Sequence, residues 1–256
     1  MKKVLITGAT SGLGLEFTRY YGERGYCLHL LGRNNDKLLE LKEKYSPLCE
    51  VKLWKVDLSI DEQLNHFLNQ IENETYEIVI NNAGLGDFGP FVKSELNKVE
   101  EMVKVNVLAL TKIAHVTLQN MVKVNKGYLL NVASMAGFMS GPNMAVYYAT
   151  KSYVIHLSEA LTAELKNENI VVSCLCPGPV DTQFYTRSNL DNSTLFKNLW
   201  VADAPTVVME GIFGLQKRKP INIVGFQNQV IVFASRFVSR KALVRMTQYI
   251  QEYRKK

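Results

Sequence analysis

The stretch TGATSGLG, Thr7 to Gly14, follows the apolar, β-rich run VLIT at Val4 to Thr7 and leads into an amphipathic, helix-forming stretch. Its glycines at 8, 12 and 14 form the pattern G-x-x-x-G-x-G. Glycine is needed where a backbone must approach a ligand closely, because any side chain would stand in the way. The start of a helix adds free N–H groups and a favourable dipole for a phosphate. A glycine triplet alone says little, but one set between a strand and a helix predicts a dinucleotide turn. No lysine follows the last glycine, which argues against the phosphate-clamp loop of ATPases.

Outward from this turn, short apolar runs alternate with amphipathic ones. CLHLL from Cys27, VKLWKV from Val51, IVIN from Ile78, YLLNVAS from Tyr128, VVSCLC from Val171 and INIV from Ile221 join the first run as seven predicted strands. Between them Leu64, Phe67, Leu68 and Ile71 recur at helical spacing, and Leu157, Leu161 and Leu165 do the same. Successive βα units predict an α/β fold of the Rossmann type: a doubly wound, seven-stranded parallel sheet flanked by helices. With no repeat or low-complexity linker, residues 1–256 read as one domain. Residues 182–203 interrupt the periodicity and read as a lid over the strand C-termini.

In such a fold the end of the second strand meets the adenosine ribose, where a carboxylate would bond the 2′-hydroxyl of NAD. Here the strand ends LLGRNN, with Gly32 and Arg33. Arg33 can pair with a 2′-phosphate, so NADP(H) is expected in preference to NAD(H). Asp57, in VDLS, reads from its own context as a turn residue near a helix start.

Apolar residues make up 47% of the chain and charged ones 21%, as in ordinary globular domains. The net charge of +6 is carried by the C-terminal segment. Residues 221–256 hold seven basic residues and one acidic, while residues 1–220 balance. That distribution does not fit a nucleic-acid protein built around a basic fold. The N-terminal apolar run is too short for a signal peptide, and no stretch reaches the roughly 18–20 apolar residues of a membrane span, so a cytoplasmic protein is expected. Cys27, Cys49, Cys174 and Cys176 lack metal or disulfide-framework spacing and read as free thiols. Histidines 29, 66, 115 and 156 are scattered and read as structural, and no metal is expected.

AVYYATKSY, Ala145 to Tyr153, places tyrosines around Lys151. Tyr147 and Tyr148 precede the lysine by four and three residues, so either is its neighbour on a helix. Spacing leaves the two tied.

Taken in order, TGATSGLG, NNAG at Asn81 to Gly84, Asn106 in KVNVLAL, Ser134, Tyr147 with Lys151, and PGPVDT at Pro177 to Thr182 resemble the short-chain dehydrogenase/reductase family. The resemblance spans about Val4 to Thr182. It selects Tyr147 as general acid/base, with Ser134 orienting a carbonyl, Lys151 binding the nicotinamide ribose and lowering the tyrosine pKa, and Asn106 in a proton relay. Tyr148 is left for packing. The resemblance also implies cofactor contacts from Gly8, Thr10, Ser11, Gly12, Leu13 and Gly14 at the turn, and from Arg33, Asp57 and Leu58 at the adenosine end. Asn82, Ala83 and Gly84, then Tyr147, Lys151, Pro177, Gly178, Val180 and Thr182, carry the site to the nicotinamide end. A small carbonyl or alcohol substrate, hydrophobic or ketoacyl in character, and a homodimer or homotetramer are what such a protein would have. The other function class is a dinucleotide-binding regulatory or scaffold protein without turnover.

The tail, residues 225–256, is basic. In it Val230, Phe233, Ala234, Phe237 and Val238 form an apolar stripe among Arg236, Arg240 and Lys241. A pocket wall or subunit contact is preferred here to a membrane-surface helix, because apolar stripes usually complete a core.

Overall fold

The computed structural model describes residues 2–190 and 201–251. Its centre is a sheet of seven parallel strands in the order β3-β2-β1-β4-β5-β6-β7. The strands are β1 (Lys3–Thr7), β2 (Cys27–Gly32), β3 (Val51–Lys55), β4 (Ile78–Asn81), β5 (Gly127–Val132), β6 (Ile170–Cys176) and β7 (Ile221–Ile223). All seven predicted strands form, with ends shifted by a residue or two.

Helices cover both faces, as a parallel sheet requires. On one face α1 (Gly12–Gly22) and α2 (Asn35–Tyr45) bury Phe17, Leu38 and Leu41. These residues meet Val4, Ile6, Leu28 and Leu30 of the strands. On the other, α3 (Asp61–Ile71) and α5 (Leu110–Lys123) set Leu64, Phe67, Ile113 and Leu118 against Leu5, Leu31, Val79 and Leu129. Ile6 and Leu5 therefore serve opposite cores, as adjacent strand residues must. The stripe Leu64, Phe67, Leu68 and Ile71 is the buried face of α3.

Between β4 and β5, α4 (Leu96–Val103) runs through a π-helical turn, Lys104–Ala109, into α5. After β5 a 3₁₀ turn, Met135–Phe138, leads to α6 (Ala145–Glu164). The stripe Leu157, Leu161 and Leu165 packs against the core but is only half-buried, and it is not the most buried face of α6. That face is Tyr148, Lys151, Val154, Ile155 and Ser158, while the leucines are half-buried along a groove with Ala114, Leu118 and Val122 of α5.

Beyond β6 come α7 (Phe184–Arg187), α8 (Ala204–Gln216), β7, α9 (Phe226–Ser235) and α10 (Arg240–Ile250). Of the expected lid, residues 191–200 lie outside the described residues, as do residues 252–256 of the tail. The chain on either side of residues 191–200 is joined by a parallel bridge between Val180 and Ala202. In the expected tail stripe Val230, Phe233 and Phe237 are exposed and so form no pocket wall, while Asn228 and Val232 face inward; a subunit contact for the stripe is not touched by this. No described helix is long and apolar enough to cross a membrane.

Candidate active site

The strand order reverses between β1 and β4, and a crevice opens there at the strand C-termini. A cavity of about 620 Å³ fills it and runs from Arg33 past the glycine-rich turn to Lys151 and on to α10. Every residue expected to contact a cofactor lines this cavity except Gly14.

Gly14 acts one layer behind. A Cβ placed on it would lie 2.1 Å from the Gly8 carbonyl oxygen, so the turn closes on α1 only if residue 14 has no side chain. Gly8 sits at φ +66°, a region that side chains avoid. Ser11 is the N-cap of α1, yet its hydroxyl caps no backbone group and no acidic residue occupies the first turn. Instead Ser11 Oγ accepts a hydrogen bond from Arg187 Nη1 at 3.2 Å. A cation from α7 thus stands over the helix N-terminus, an arrangement suited to a pyrophosphate.

Asn82 is a strut between strands as well as a wall residue. Its Nδ2 donates to the Thr7 carbonyl at 2.9 Å, while Thr7 Oγ1 accepts from the N–H groups of Asn82 and Ala83 at 3.0 Å each. At the adenosine end Arg33 is half exposed and lies 3.6 Å from Asp57 Oδ2. Burial pushes the Asp57 carboxyl up, but hydrogen bonds from Ser59 and the Arg33 guanidinium outweigh it and leave the group below its ordinary value. Asp57 also closes an Asx turn through Ser59 N and Oγ, as its sequence context suggested.

At the opposite end Ser134, Tyr147 and Lys151 converge on one wall. Ser134 caps the 3₁₀ turn by accepting from Ala136 N at 3.1 Å. Helix α6 carries Tyr147 and Lys151 one turn apart, with the ammonium 5.7 Å from the phenol ring centre. Lys151, almost fully buried, donates to the Val132 carbonyl at 2.9 Å. Burial lowers its pKa to about 8, opposed in part by Cys174 and Cys176. Burial also raises the Tyr147 phenol to about 12, against a smaller downward pull from the Ser134 hydroxyl. The phenol therefore holds its proton at neutral pH and can give it to an alkoxide, a far stronger base.

Asn106 lies behind the wall, inside the π-helical turn. Its Oδ1 accepts from Leu85 N and its Nδ2 donates to Leu85 O, both at 2.8 Å, with a further bond to Thr150 Oγ1 at 3.0 Å. The side chain therefore fixes the Gly84–Leu85 loop beside Lys151. The wider turn at Lys104–Ala109 turns the amide toward that loop.

Sequence reasoning missed several wall residues. Tyr148 lines the cavity next to Tyr147, and its hydroxyl accepts from Gln251 Nε2. Gln251 is itself held by Asn143, whose Nδ2 donates to the Gln251 carbonyl at 3.2 Å. Thr247 Oγ1 donates to the Ser140 carbonyl at 2.7 Å, which fastens α10 across the far end of the cavity. Met135, Met139, Met144, Phe184, Leu190 and Ile231 make that end apolar. No sequence signal marks these residues, whose partners lie up to 108 positions away. Among the described residues no group of histidine, cysteine and carboxylate side chains could hold a metal.

Comparison with known proteins places this geometry in context. The family model described as short chain dehydrogenase matches residues 2–193. The very-long-chain 3-oxoacyl-CoA reductase of Rattus norvegicus is 30% identical over 187 residues, 70% of this chain and 59% of that protein. The chain therefore spans about three fifths of that relative. The 3-oxoacyl-[acyl-carrier-protein] reductase of Chlamydia trachomatis is 26% identical over 80% of this chain and 82% of its own. Among solved structures, a short-chain dehydrogenase from Sphingobium yanoikuyae in complex with NADPH superposes with a TM-score of 0.81 at 25% identity, covering 100% of this chain and 99% of that one.

Proposed function

The chain belongs to the short-chain dehydrogenase family of oxidoreductases, and we propose that it uses NADP(H) to interconvert a hydrophobic ketone or aldehyde and the corresponding alcohol, with Tyr147 as general acid/base. The observation that carries this reading is the convergence of Ser134, Tyr147 and Lys151 at one end of a cavity whose other end is the glycine-rich turn. The cavity suits a nicotinamide dinucleotide: a glycine-rich turn, an uncapped helix N-terminus and two arginines, Arg187 and Arg33, lie along one path.

A dinucleotide held by the glycine-rich turn, Arg187 and Arg33 would supply hydride-transfer chemistry at the substrate carbon. Tyr147 gives the proton to the carbonyl oxygen in reduction and removes it in oxidation. The Ser134 hydroxyl orients the carbonyl and hydrogen-bonds the developing oxyanion. Lys151 holds positive charge beside the phenol, favouring phenolate character as the proton leaves, and binds the nicotinamide ribose. Asn106 keeps Gly84 and Leu85 in place and anchors the proton relay.

Arg33 supports the preference for NADP(H). It is half exposed at the cavity wall, and a 2′-phosphate offers it a stronger bidentate partner than Asp57 at 3.6 Å. The apolar far end, together with relatives named as 3-oxoacyl reductases, supports a ketoacyl or similarly hydrophobic substrate. The α5–α6 groove edged by Leu157 and Leu161 supports self-association through those helices, and four free cysteines support a cytoplasmic location.

The test is nicotinamide absorbance over a panel of ketones, aldehydes and 3-oxoacyl thioesters with NADPH and NADH. Tyr147→Phe should lower kcat by at least two orders of magnitude. Undiminished turnover in that variant would remove Tyr147 from the mechanism. Absence of turnover on the whole panel with tight NADPH binding would favour the scaffold reading.

A further inference from the structure

The outer face of α9 takes no part in the proposed reaction. Phe226, Val230 and Phe233 fall within a narrow arc of α9 and Phe237 follows just past its end; the four are 79%, 48%, 60% and 77% exposed. Phe233 and Phe237 stack edge to face at 5.3 Å, so the row is continuous. The opposite face of the helix is already used: Asn228 donates to the Val224 carbonyl, and Val232 is buried. The apolar row is therefore not the side by which α9 docks on its own fold. A contiguous exposed apolar patch of this kind marks an interaction surface.

Its charge setting identifies the partner. No aspartate or glutamate occurs between Glu210 and Glu252, whereas Arg236, Arg240, Lys241 and Arg245, all exposed, follow along the end of α9 and the start of α10. None of these four pairs with a carboxylate among the described residues. Arg240 and Lys241 open the first turn of α10, where the helix dipole favours acidic residues, so their charge does not serve helix stability. We propose that the apolar row of α9 and the cations at the α9–α10 junction dock this protein on an anionic lipid surface. The boundary between headgroups and acyl chains supplies hydrocarbon and negative charge within a depth of about 5–10 Å. An acidic protein would answer the cations but leave the three phenylalanines in water. Ile231 of the same helix lines the cavity, so the docked face lies beside the apolar end of the site.

The full chain should sediment with vesicles made of equal parts phosphatidylglycerol and phosphatidylcholine, and not with phosphatidylcholine alone. Added salt should weaken binding. Arg240→Gln with Lys241→Gln removes two cations at roughly fivefold each and should lower partitioning about twenty-five-fold. Phe233→Ser with Phe237→Ser should abolish it while leaving the melting temperature and the molecular mass in solution unchanged. The proposal is overturned if the protein ignores anionic vesicles or if the phenylalanine variant still binds them. It is equally overturned if that variant changes oligomeric mass, which would assign the face to a second copy, or melts lower, which would assign it to this chain's own packing. Retention on polyglutamate without vesicle binding would assign the face to an acidic protein. None of these readouts depends on turnover.

Discussion

Replacing Tyr148 by phenylalanine separates the two adjacent tyrosines by physical role. The ring of Tyr148 packs over Gly141, and phenylalanine keeps that contact. Only the hydroxyl is lost, and with it the acceptor for Gln251 Nε2. Gln251 is 1% exposed and its Oε1 already has no hydrogen-bond partner, so the variant leaves a buried amide unsatisfied at both ends. An orphaned buried donor costs about 1–3 kcal/mol. For a chain of this size, each kcal/mol moves the melting temperature by roughly 2–4 °C, giving an expected drop of about 2–12 °C. Gln251 is part of the fastening of α10, so limited proteolysis should cut near the C-terminus before the rest of the chain unfolds. The residues proposed for proton transfer are untouched, so kcat should stay within a few-fold of wild type while KM rises as the far wall loosens. Scanning calorimetry, timed proteolysis and steady-state kinetics read these effects. An unchanged melting temperature would show that the bond contributes nothing, and a kcat loss equal to that of Tyr147→Phe would reverse the roles given to the two residues.

Gly14→Ala should be more severe, because its Cβ meets a backbone oxygen at 2.1 Å and the turn must move; weakened NADPH binding, by fluorescence titration, and a lower melting temperature are expected together. Arg187→Ala removes a charge-assisted contact worth about 1.5–3 kcal/mol if it extends to a cofactor phosphate, so NADPH should bind about ten- to hundredfold more weakly with kcat at saturation preserved. Acid should expose His29, which is 2% exposed, 2.8 Å from Tyr76 Oη and held by burial at a pKa of about 4. The unfolded histidine takes up its proton near pH 6.5 and the folded one only near 4. Stability is therefore fully present above 6.5 and lost as pH falls through that window, by about 3 kcal/mol. Denaturant melts at pH 7 and 4.5 should show this loss, and His29→Leu should show less of it.

Much of the fold was legible because parallel strands between two helical layers are apolar on both faces and stand out from the amphipathic runs around them. Two segments were less legible, for a shared cause. Leu157, Leu161 and Leu165 satisfy a helical period as well as Val154, Ile155 and Ser158 do, and periodicity cannot say which of two faces meets the sheet. Periodicity likewise marks the tail stripe without saying whether it meets the pocket or a second subunit, and α9 turns Asn228 and Val232 to the fold. A polar residue won the inner face because it satisfies a carbonyl there, a preference invisible to an apolar count.

The sequence by itself determined the strand–turn–helix carrying the glycines, the seven strands and, through the ordered resemblance, Tyr147 rather than Tyr148 as the candidate acid/base. These depend on residues close together in the chain or on motif order. Only the tertiary structure decided that Arg187 reaches Ser11, that Asn106 braces Leu85 and that Gln251 meets Tyr148. Those pairs are 176, 21 and 103 residues apart. Local propensity cannot encode such contacts, since each exists only once the sheet has brought its strand ends to one crevice.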